Sequence, residues 1–175
     1  MKSLIIYGSQ YGTSKAYAAK LSEITDIPCV SCESVKNIAD YEQIIYVGGL
    51  YAGGVKGLKS TFRLLKNRDV RTIIVTVGLA DVNNEENTGR IKTSIAKQVD
   101  ESILKSAFIF HLRGGIDYSR LNLKHKAMMK MLYHSLKAKP AENLTAEDRA
   151  LIETYHTKVD FIDYLSLKPI AEAVR

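Results

Sequence analysis

The sequence has little cysteine and no long hydrophobic run, and both shortages exclude whole classes of protein. No apolar stretch in the 175 residues approaches the ~20 residues that a membrane-spanning helix needs. The first residues, Met1, Lys2 and Ser3, lead directly into a strand-like segment, without the layout of a secretory signal peptide. We therefore expect one cytoplasmic domain over residues 1–175, long enough to bury a core.

The two cysteines, Cys29 and Cys32, form a C-x-x-C pair of the kind found in zinc and redox sites. A zinc site needs two further ligands, and the sequence has no second pair of this kind. The flanking residues predict a strand, in which positions three apart point to opposite faces. We therefore expect two separate, inert thiols and no metal site.

Residues 119–139 contain no Asp or Glu, although the whole chain has 19 acidic residues. The basic residues of this segment are Arg120, Lys124, Lys126, Lys130, Lys137 and Lys139. Their positive charge equals the formal net charge of the whole chain, which is +6. Such an uneven balance favours an anionic partner.

The first strand–turn–helix unit predicts a phosphate site. Residues 4–7 are apolar and rich in β-branched side chains, as in a buried strand, and a helical pattern begins at Ser14. The first N–H groups of a helix have no intrahelical partner, and the helix dipole attracts negative charge there. The residues expected to surround the phosphate are Ser9, Gln10, Tyr11, Gly12, Thr13 and Ser14.

Two common phosphate motifs are absent from this turn. The chain has neither G-x-x-x-x-G-K-[ST] nor G-x-G-x-x-G, so a P-loop and a dinucleotide fingerprint are excluded. The turn instead resembles the flavodoxin signature, with Ser14 where the family prefers Thr. The matching residues are Ile5, Ile6, Tyr7, Ser9, Gly12, Thr13, Ser14, Ala18 and Leu21. The resemblance implies that the turn wraps the monophosphate of FMN without a lysine.

Strand-like and helical patterns alternate along the chain, which predicts an α/β fold. Strands are expected over residues 4–7, 29–32, 43–47, 70–77 and 107–112, and helices over 14–25, 58–67 and 90–104. The pattern fits a flavodoxin-like, doubly wound, five-stranded parallel sheet of order 2-1-3-4-5. Ligands of such sheets bind outside the carboxyl ends of the strands.

Two further loops are expected at that edge of the sheet and are assigned to the same cofactor. Their residues are Gly49, Leu50, Tyr51, Ala52 and Gly53 after the third strand, and Gly78, Leu79, Ala80 and Asp81 after the fourth. Tyr51 stands among small residues, so it is the candidate to lie against a flat ring. The loop after the fourth strand has no aromatic residue, which leaves the other face of the flavin open to substrate or covered by a later insertion.

An inserted basic amphipathic helix is expected after the fifth strand, within residues 116–140. Its apolar residues at helical spacing are Leu121, Met128, Met131, Leu132, Ser135 and Leu136. Docking on the domain, contact with an anionic membrane surface and binding of an acidic or hydrophobic ligand are all compatible with it. The residues assigned to a substrate or membrane surface are Arg113, Arg120, Lys124, Lys126 and Lys130. Nucleic-acid binding is not expected, because Tyr133 is the helix's one aromatic residue besides histidines.

The stretch G-I-D-Y-S-R-L at residues 115–121, with the Met-rich helix after it, resembles the flavodoxin-domain family that includes menaquinone-dependent protoporphyrinogen oxidase. The G-G-L-Y-A-G stretch at residues 48–53 supports the same resemblance. It implies FMN, oxidation of protoporphyrinogen IX and delivery of electrons to a quinone at the inner face of the membrane. Residues 145–175, with a helix start at 145–148 and Pro169 in a final helix, depart from the family's simple last helix.

Three functions remain open at this point. The leading hypothesis is an FMN-dependent oxidoreductase with a small-molecule substrate or quinone. The alternative is a flavodoxin-type electron carrier for protein redox partners, which the basic charge and the insertion disfavour. A flavin-free regulatory protein is disfavoured by the intact phosphate turn. No catalytic residue is assigned, and for His111 we favour a structural role.

Overall fold

The computed structural model describes residues 1–51, 54–65 and 68–175. Its described strands are β1 (Ser3–Gly8), β2 (Cys29–Ser31), β3 (Gln43–Tyr51), β4 (Gly54–Val55), β5 (Arg71–Gly78), β6 (Phe108–Arg113), β7 (Gly115–Asp117) and β8 (Lys158–Asp160). Its described helices are α1 (Thr13–Thr25), α2 (Leu58–Phe62), α3 (Glu85–Ala96), α4 (Glu101–Leu104), α5 (Leu123–Lys137), α6 (Ala146–Glu153) and α7 (Lys168–Val174).

Five parallel strands form the main sheet in the order β2-β1-β3-β5-β6. In the register, Ile45 of β3 lies between Ile5 of β1 and Ile73 of β5. The short strand β4 pairs antiparallel with the end of β3 and lies off this path. The predicted order 2-1-3-4-5 is therefore confirmed, with β5 and β6 as its fourth and fifth strands.

Two buried clusters lie on the two faces of this sheet. One contains Ile44 and Ile74 and packs against α2 and α3, and the other contains Ile45 and Ile73 and packs against α1 and α7. The alternation follows from the pleat, since successive side chains of a strand point to opposite faces. Burying each of these isoleucines contributes roughly 1.5–3 kcal/mol to folding.

The two cysteines follow the same alternation. Cys29 packs against one of the two clusters and Cys32 against the other, and both are free thiols. The expectation that the two thiols lie apart is confirmed. Burial raises the pKa of the Cys29 thiol, which favours its unreactive protonated form.

The third strand is longer than the sequence predicts. Its apolar run ends at Val47, but β3 continues to Tyr51 because β4 pairs back onto it, with Leu50 opposite Val55 and Tyr51 opposite Gly54. The predicted loop over residues 50–57 therefore begins as strand. Glycines in the run hid this extension, because they weaken the strand signal.

Two predicted helices have different bounds. The helix expected over 90–104 is two helices, α3 and α4. The first of them begins five residues before the predicted start, because the Asn84 side chain caps it by accepting from the Asn87 N–H (2.9 Å). The first helix ends where the N–H groups of Gln98 and Val99 both bond the Ile95 carbonyl. The helix expected over 58–67 is α2 and a 3-10 turn at Arg63–Leu65, and residues 66 and 67 lie outside the described residues.

The segment inserted after β6 is longer than the predicted 116–140. β7 pairs antiparallel with β8, with Gly115 opposite Asp160, so that both α5 and α6 lie between two paired strands. The rings of Tyr133 and Tyr155 stack with centroids 3.9 Å apart and join α5 to the segment after α6. Sequence patterns of single elements do not show this pairing, because its two strands are about forty residues apart.

Helix α5 presents a different apolar face from the predicted one. Met129 is 1% exposed, whereas Met131, assigned to the apolar face, is 72% exposed. Met129, Leu132 and Leu136 share one side of the helix at spacings of three and four residues, and Met131 lies off that side. Among the helices of the described chain, none has the length and apolar character needed to cross a membrane.

Candidate functional site

A cavity of about 450 Å³ opens at the carboxyl ends of β1, β3 and β5. One end is formed by the turn before α1, and the opposite wall by α5 and α6 of the insertion. Its volume lies within the roughly 300–1,000 Å³ typical of small-molecule and cofactor sites. The predicted residues that line it are Ser9, Gln10, Tyr11, Thr13, Ser14, Gly49, Leu50, Tyr51, Gly78 and Leu79.

The turn before α1 has the geometry of an anion-binding site. Gly12 precedes the helix with φ of 95°, a left-handed conformation that glycine adopts at little cost, and its N–H donates to the Ser9 Oγ (3.0 Å). No side chain caps this helix start, and Thr13 and Ser14 of the first turn line the cavity, so the free N–H groups of the turn are available at the cavity end. Thr13 contributes less than predicted, because its hydroxyl already donates to the Gly115 carbonyl (2.9 Å).

Glycine lets the neighbouring strand approach this turn. A Cβ on Gly49 of β3 would lie 3.1 Å from the Ser14 Oγ, which is tighter than ordinary packing. Ser14 is itself buried, at 2% exposed. The small residue at the end of β3 thus leaves room for the hydroxyl at the start of α1.

Lys56 is a basic residue beside the turn that the sequence analysis missed. Its ammonium group donates to the Ser9 carbonyl (3.0 Å) and pairs with Glu33 (3.1 Å). It adds positive charge close to the predicted phosphate position, although it is not part of the cavity lining. A lysine within the G-V-K-G stretch was the available signal.

Aromatic and apolar side chains form the middle of the cavity. Tyr11 of the turn and Tyr51 at the end of β3 meet edge to face with ring centroids 6.2 Å apart. The Tyr11 hydroxyl donates to the Met129 sulfur (2.7 Å), and burial, followed by the neighbouring Tyr51, raises the pKa of Tyr11. Because this hydroxyl stays protonated, it fixes α5 against the turn. The insertion therefore covers one side of the cavity.

The loop after β5 is occupied from within the chain, by Glu147 of α6. One carboxylate oxygen accepts from the Leu79 N–H (2.8 Å), and the other accepts from the N–H groups of Leu79 (3.0 Å) and Ala80 (2.9 Å). Burial raises the pKa of Glu147, whereas these two N–H groups and the Arg113 charge lower it. The sequence carried no signal for this contact, because Glu147 is 68 residues away from Leu79.

Arg113 supports this loop. Its guanidinium donates to the Leu79 carbonyl (2.9 and 3.2 Å) and lies 3.7 Å above the Phe161 ring. These contacts give Arg113 a structural role, and its assignment to a substrate or membrane surface stays a prediction.

Other predicted residues are not part of the described cavity lining. Gly12, Ala80 and Asp81 are outside its described lining, and the Asp81 carboxylate accepts from the Asn83 N–H (2.9 Å). Ala52 and Gly53 lie outside the described residues. Four further predicted residues are exposed and outside the described lining: Arg120, Lys124, Lys126 and Lys130. The lysines of α5 point outward because its inner side is taken by Met129, Leu132 and Leu136.

The cavity rim carries two cations that the sequence analysis did not assign to the site. Arg90 of α3 pairs with Glu86 (2.9 Å), and Lys139 after α5 pairs more loosely with Asp148 (3.7 Å). His111 lies behind the loop after β5, where its Nδ1 is 2.7 Å from the Thr76 hydroxyl. Burial, followed by Lys92, lowers the pKa of His111, so the imidazole is neutral. Within residues 1–51, 54–65 and 68–175, no cluster of three acidic, His or Cys side chains could hold a metal ion.

Comparison with known proteins identifies the family of the chain. The chain is similar to a flavoprotein in complex with FMN from Lactobacillus acidophilus NCFM, at 13% identity and a TM-score of 0.47, over 64% of this chain and 91% of that one. It is also similar to a mutant flavodoxin from Pseudomonas aeruginosa, at 14% identity and a TM-score of 0.42, over 77% and 96% of the two chains. No curated protein matches the sequence. Residues 4–143 match the family model described as a flavodoxin domain, so the chain belongs to the flavodoxin domain family.

Proposed function

We propose that the protein is an FMN-binding oxidoreductase that oxidises protoporphyrinogen IX and passes the electrons to a quinone. The observation that carries the proposal is that one partly open cavity joins an anion-binding turn to a chamber lined by Tyr11 and Tyr51. A carrier that exchanges electrons with proteins needs an exposed flavin edge, whereas an enzyme needs room and shelter for a substrate. The wall formed by α5 and α6 supplies that shelter.

The residues present fit FMN at its phosphate end and along its ring. Ser9, Ser14 and the first turn of α1 would hold the phosphate, and Tyr51 would lie against the ring. When bound, FMN supplies hydride and single-electron transfer. The chain's own residues bind it, and Met129 and Leu132 exclude water from one side of the chamber.

The rim cations support a carboxylated substrate. Arg90 and Lys139 lie where an acidic side chain of a ligand would leave the cavity, and each has one carboxylate partner of its own. A porphyrinogen carries such carboxylates, and the two rim cations would attract and orient them. The arrangement therefore provides orientation, with no acid–base residue required from the chain.

The proposal is tested by reducing the FMN-loaded protein without oxygen. Protoporphyrinogen IX is added while the visible band of the oxidised flavin is followed, and a menaquinone analogue is added afterwards. Bleaching that the quinone reverses supports both half-reactions. Flavin that binds but stays oxidised would instead favour the electron carrier, and a lack of FMN binding would revive the flavin-free alternative.

A pair of variants connects the activity to the rim. Changing Arg90→Gln together with Lys139→Gln should raise the KM for the porphyrinogen several-fold, because the carboxylates lose both cations. FMN affinity should change much less, since neither residue belongs to the phosphate turn. The matched control is Lys97→Gln with Lys105→Gln, two exposed lysines outside the cavity lining that should leave KM unaltered.

We also propose contact between the outer face of α5 and an anionic membrane, where a quinone would be found. That face carries Lys124, Lys126 and Lys130 together with exposed Leu123 (86%) and Met131 (72%). Basic residues beside exposed apolar ones are typical of helices that lie in a membrane surface. The protein would then be cytoplasmic and peripheral at the inner face of the membrane.

A further inference from the structure

Glu147 lies in the part of the cavity where the cofactor's ring is expected. Its carboxylate accepts hydrogen bonds from the backbone N–H groups of Leu79 and Ala80, both predicted from the sequence to bind FMN. Carbonyl oxygens on the edge of a flavin are hydrogen-bond acceptors and need donors of this kind. A carboxylate is an acceptor too, so Glu147 offers these N–H groups the same chemistry as the ring edge.

The surrounding structure is shaped to receive this side chain. A Cβ on Gly78 would lie 2.8 Å from the Glu147 Oε2, so a larger residue there would press on the carboxylate. The start of α6 is fixed by a capping box, in which the Thr145 Oγ1 accepts from the Asp148 N–H and the Asp148 carboxylate accepts from the Thr145 N–H. The position of Glu147 is thus built into the fold of the segment.

The helix that carries Glu147 is held less firmly than the sheet beneath it. None of the residues of α6, Ala146–Glu153, falls in the fully buried class, whereas the strands below contain many that do. Its contacts are with α5 and with the partly buried edge of the cluster around Tyr118 and Met129. Elements with few buried contacts open at low free-energy cost, which makes α6 a movable part of the cavity wall.

We propose that Glu147 is an internal competitor for the ring edge of FMN, and that α6 is a lid that must release the Leu79 and Ala80 N–H groups before that edge binds. The inference rests on the proposed binding of FMN. It adds to it a closed state in which the phosphate turn is accessible and the ring site is filled by the chain itself. FMN affinity is then reduced by the fraction of molecules in the closed state.

The test measures FMN affinity by flavin fluorescence for the full-length wild type, Glu147→Ala and Glu147→Gln. If the closed state holds about nine-tenths of the molecules, Glu147→Ala should bind FMN about tenfold more tightly. Glu147→Gln, which keeps one acceptor oxygen, should fall between the two. Glu153→Ala, an exposed acidic residue at the other end of α6, is the matched control and should bind like the wild type.

Hydrogen exchange provides a readout that does not depend on affinity. FMN should speed exchange of the backbone amides of α6 in the wild type, because the lid is released, and should change it little in Glu147→Ala. Slower exchange of α6 with FMN would overturn the inference, as would equal or weaker FMN binding by a folded Glu147→Ala protein. If Glu147→Ala does not fold, Glu147→Gln decides between these results.

A failure of FMN binding, on which both proposals rest, gives a different pattern. In that case FMN binds to none of the proteins, wild type and Glu153→Ala included, and the inference fails with the proposed function. Where FMN binds but protoporphyrinogen IX does not reduce it, the oxidase proposal alone fails and the affinities still test the lid. If the lid proposal alone fails, FMN binds to the wild type, and the Glu147 variants bind FMN no more tightly. The two outcomes are therefore distinguished by the wild-type titration.

Discussion

At the scale of single residues, the Tyr17 hydroxyl connects three distant parts of the chain. It donates to the Arg113 carbonyl at the end of β6 (2.8 Å) and accepts from the Asp163 N–H before α7 (2.9 Å). The side chain is 1% exposed, and burial raises the pKa of Tyr17, so the hydroxyl remains protonated and able to donate. One oxygen on α1 therefore fixes both the fifth sheet strand and the C-terminal segment.

Removing this hydroxyl should be costly. Tyr17→Phe leaves the Arg113 carbonyl and the Asp163 N–H, both in part-buried contacts, without their partner, and we expect a loss of about 1.5 kcal/mol in the free energy of unfolding. Urea unfolding followed by circular dichroism measures it. Tyr164→Phe is the control, because Tyr164 is 44% exposed and packs edge to face on Tyr17, and its loss should stay below about 0.5 kcal/mol. Equal losses in both variants would contradict the assigned role.

Glu147 should give the protein a distinctive dependence on pH. Its pKa is raised in the folded state, so the folded protein binds the proton more tightly than the unfolded chain. The stabilising contribution of Glu147 to the folded state is fully present below the ordinary glutamate pKa of about 4.3. It is lost as the pH rises through the raised pKa of the folded state. Relative to the wild type, Glu147→Gln should therefore gain thermal stability as pH rises from about 4 to about 7.

The comparison needs only melting temperatures across that pH range. Any constant effect of exchanging a carboxylate for an amide cancels, because the prediction concerns the change with pH. Glu153→Gln, on the same helix and exposed, should show no such trend. A wild type and a Glu147→Gln variant with parallel pH profiles would show that the Glu147 carboxyl is not perturbed.

At the scale of elements, the order of strands and helices was predictable because hydrophobic pattern is local. The apolar runs of β1, β3 and β5 identify the buried strands of a parallel sheet directly. The errors arise where tertiary contacts override the pattern, as in the extension of β3 by its pairing with β4. The early start of α3 was missed for another reason, since Asn84 was read as part of a polar loop and not as a cap.

The candidate site likewise has a part that local sequence pattern predicts and a part that only tertiary packing brings in. The turn from Ser9 to Ser14 was predictable, because a strand, a glycine and a helix start are contiguous in the sequence. Glu147, Arg90 and Lys139 reach the cavity only through the packing of α3, α5 and α6, which no local pattern encodes. The phase of α5 was misassigned because three methionines and a leucine within residues 128–132 fit several helical faces.

The capping box of α6 was visible in the sequence and should matter for the lid. Thr145→Ala removes the side-chain acceptor of the Asp148 N–H, and we expect a loss of about 1 kcal/mol in unfolding free energy. Thr93→Ala is the control, since Thr93 is exposed within α3 and alanine is the better helix former there. Chemical denaturation of both variants measures the difference, and a loss in Thr93→Ala equal to that in Thr145→Ala would argue against a capping effect.

At the scale of the whole molecule, the excess of positive charge is matched by one segment of the insertion. The six basic residues of 119–139 match the net charge of +6, and the acidic residues lie elsewhere in the chain. The outer side of α5 adds two exposed apolar residues, Leu123 and Met131, to these charges. The cavity lies on the inner side of the same helix, so contact of α5 with a membrane would bring the cavity close to a lipid-soluble acceptor.

This arrangement predicts binding to anionic vesicles that depends on where the charge is, and not only on its total. Each basic residue near an anionic surface contributes about 1 kcal/mol, so Lys124→Glu with Lys130→Glu should weaken binding more than tenfold at about 0.1 M salt. Lys36→Glu with Lys59→Glu makes the same change in net charge at exposed positions outside α5 and should retain most of the binding. Co-sedimentation with vesicles of phosphatidylglycerol and phosphatidylcholine compares the two. Equal loss in both variants would mean that the overall charge alone attracts the protein, because only a defined contact face distinguishes two molecules of the same net charge.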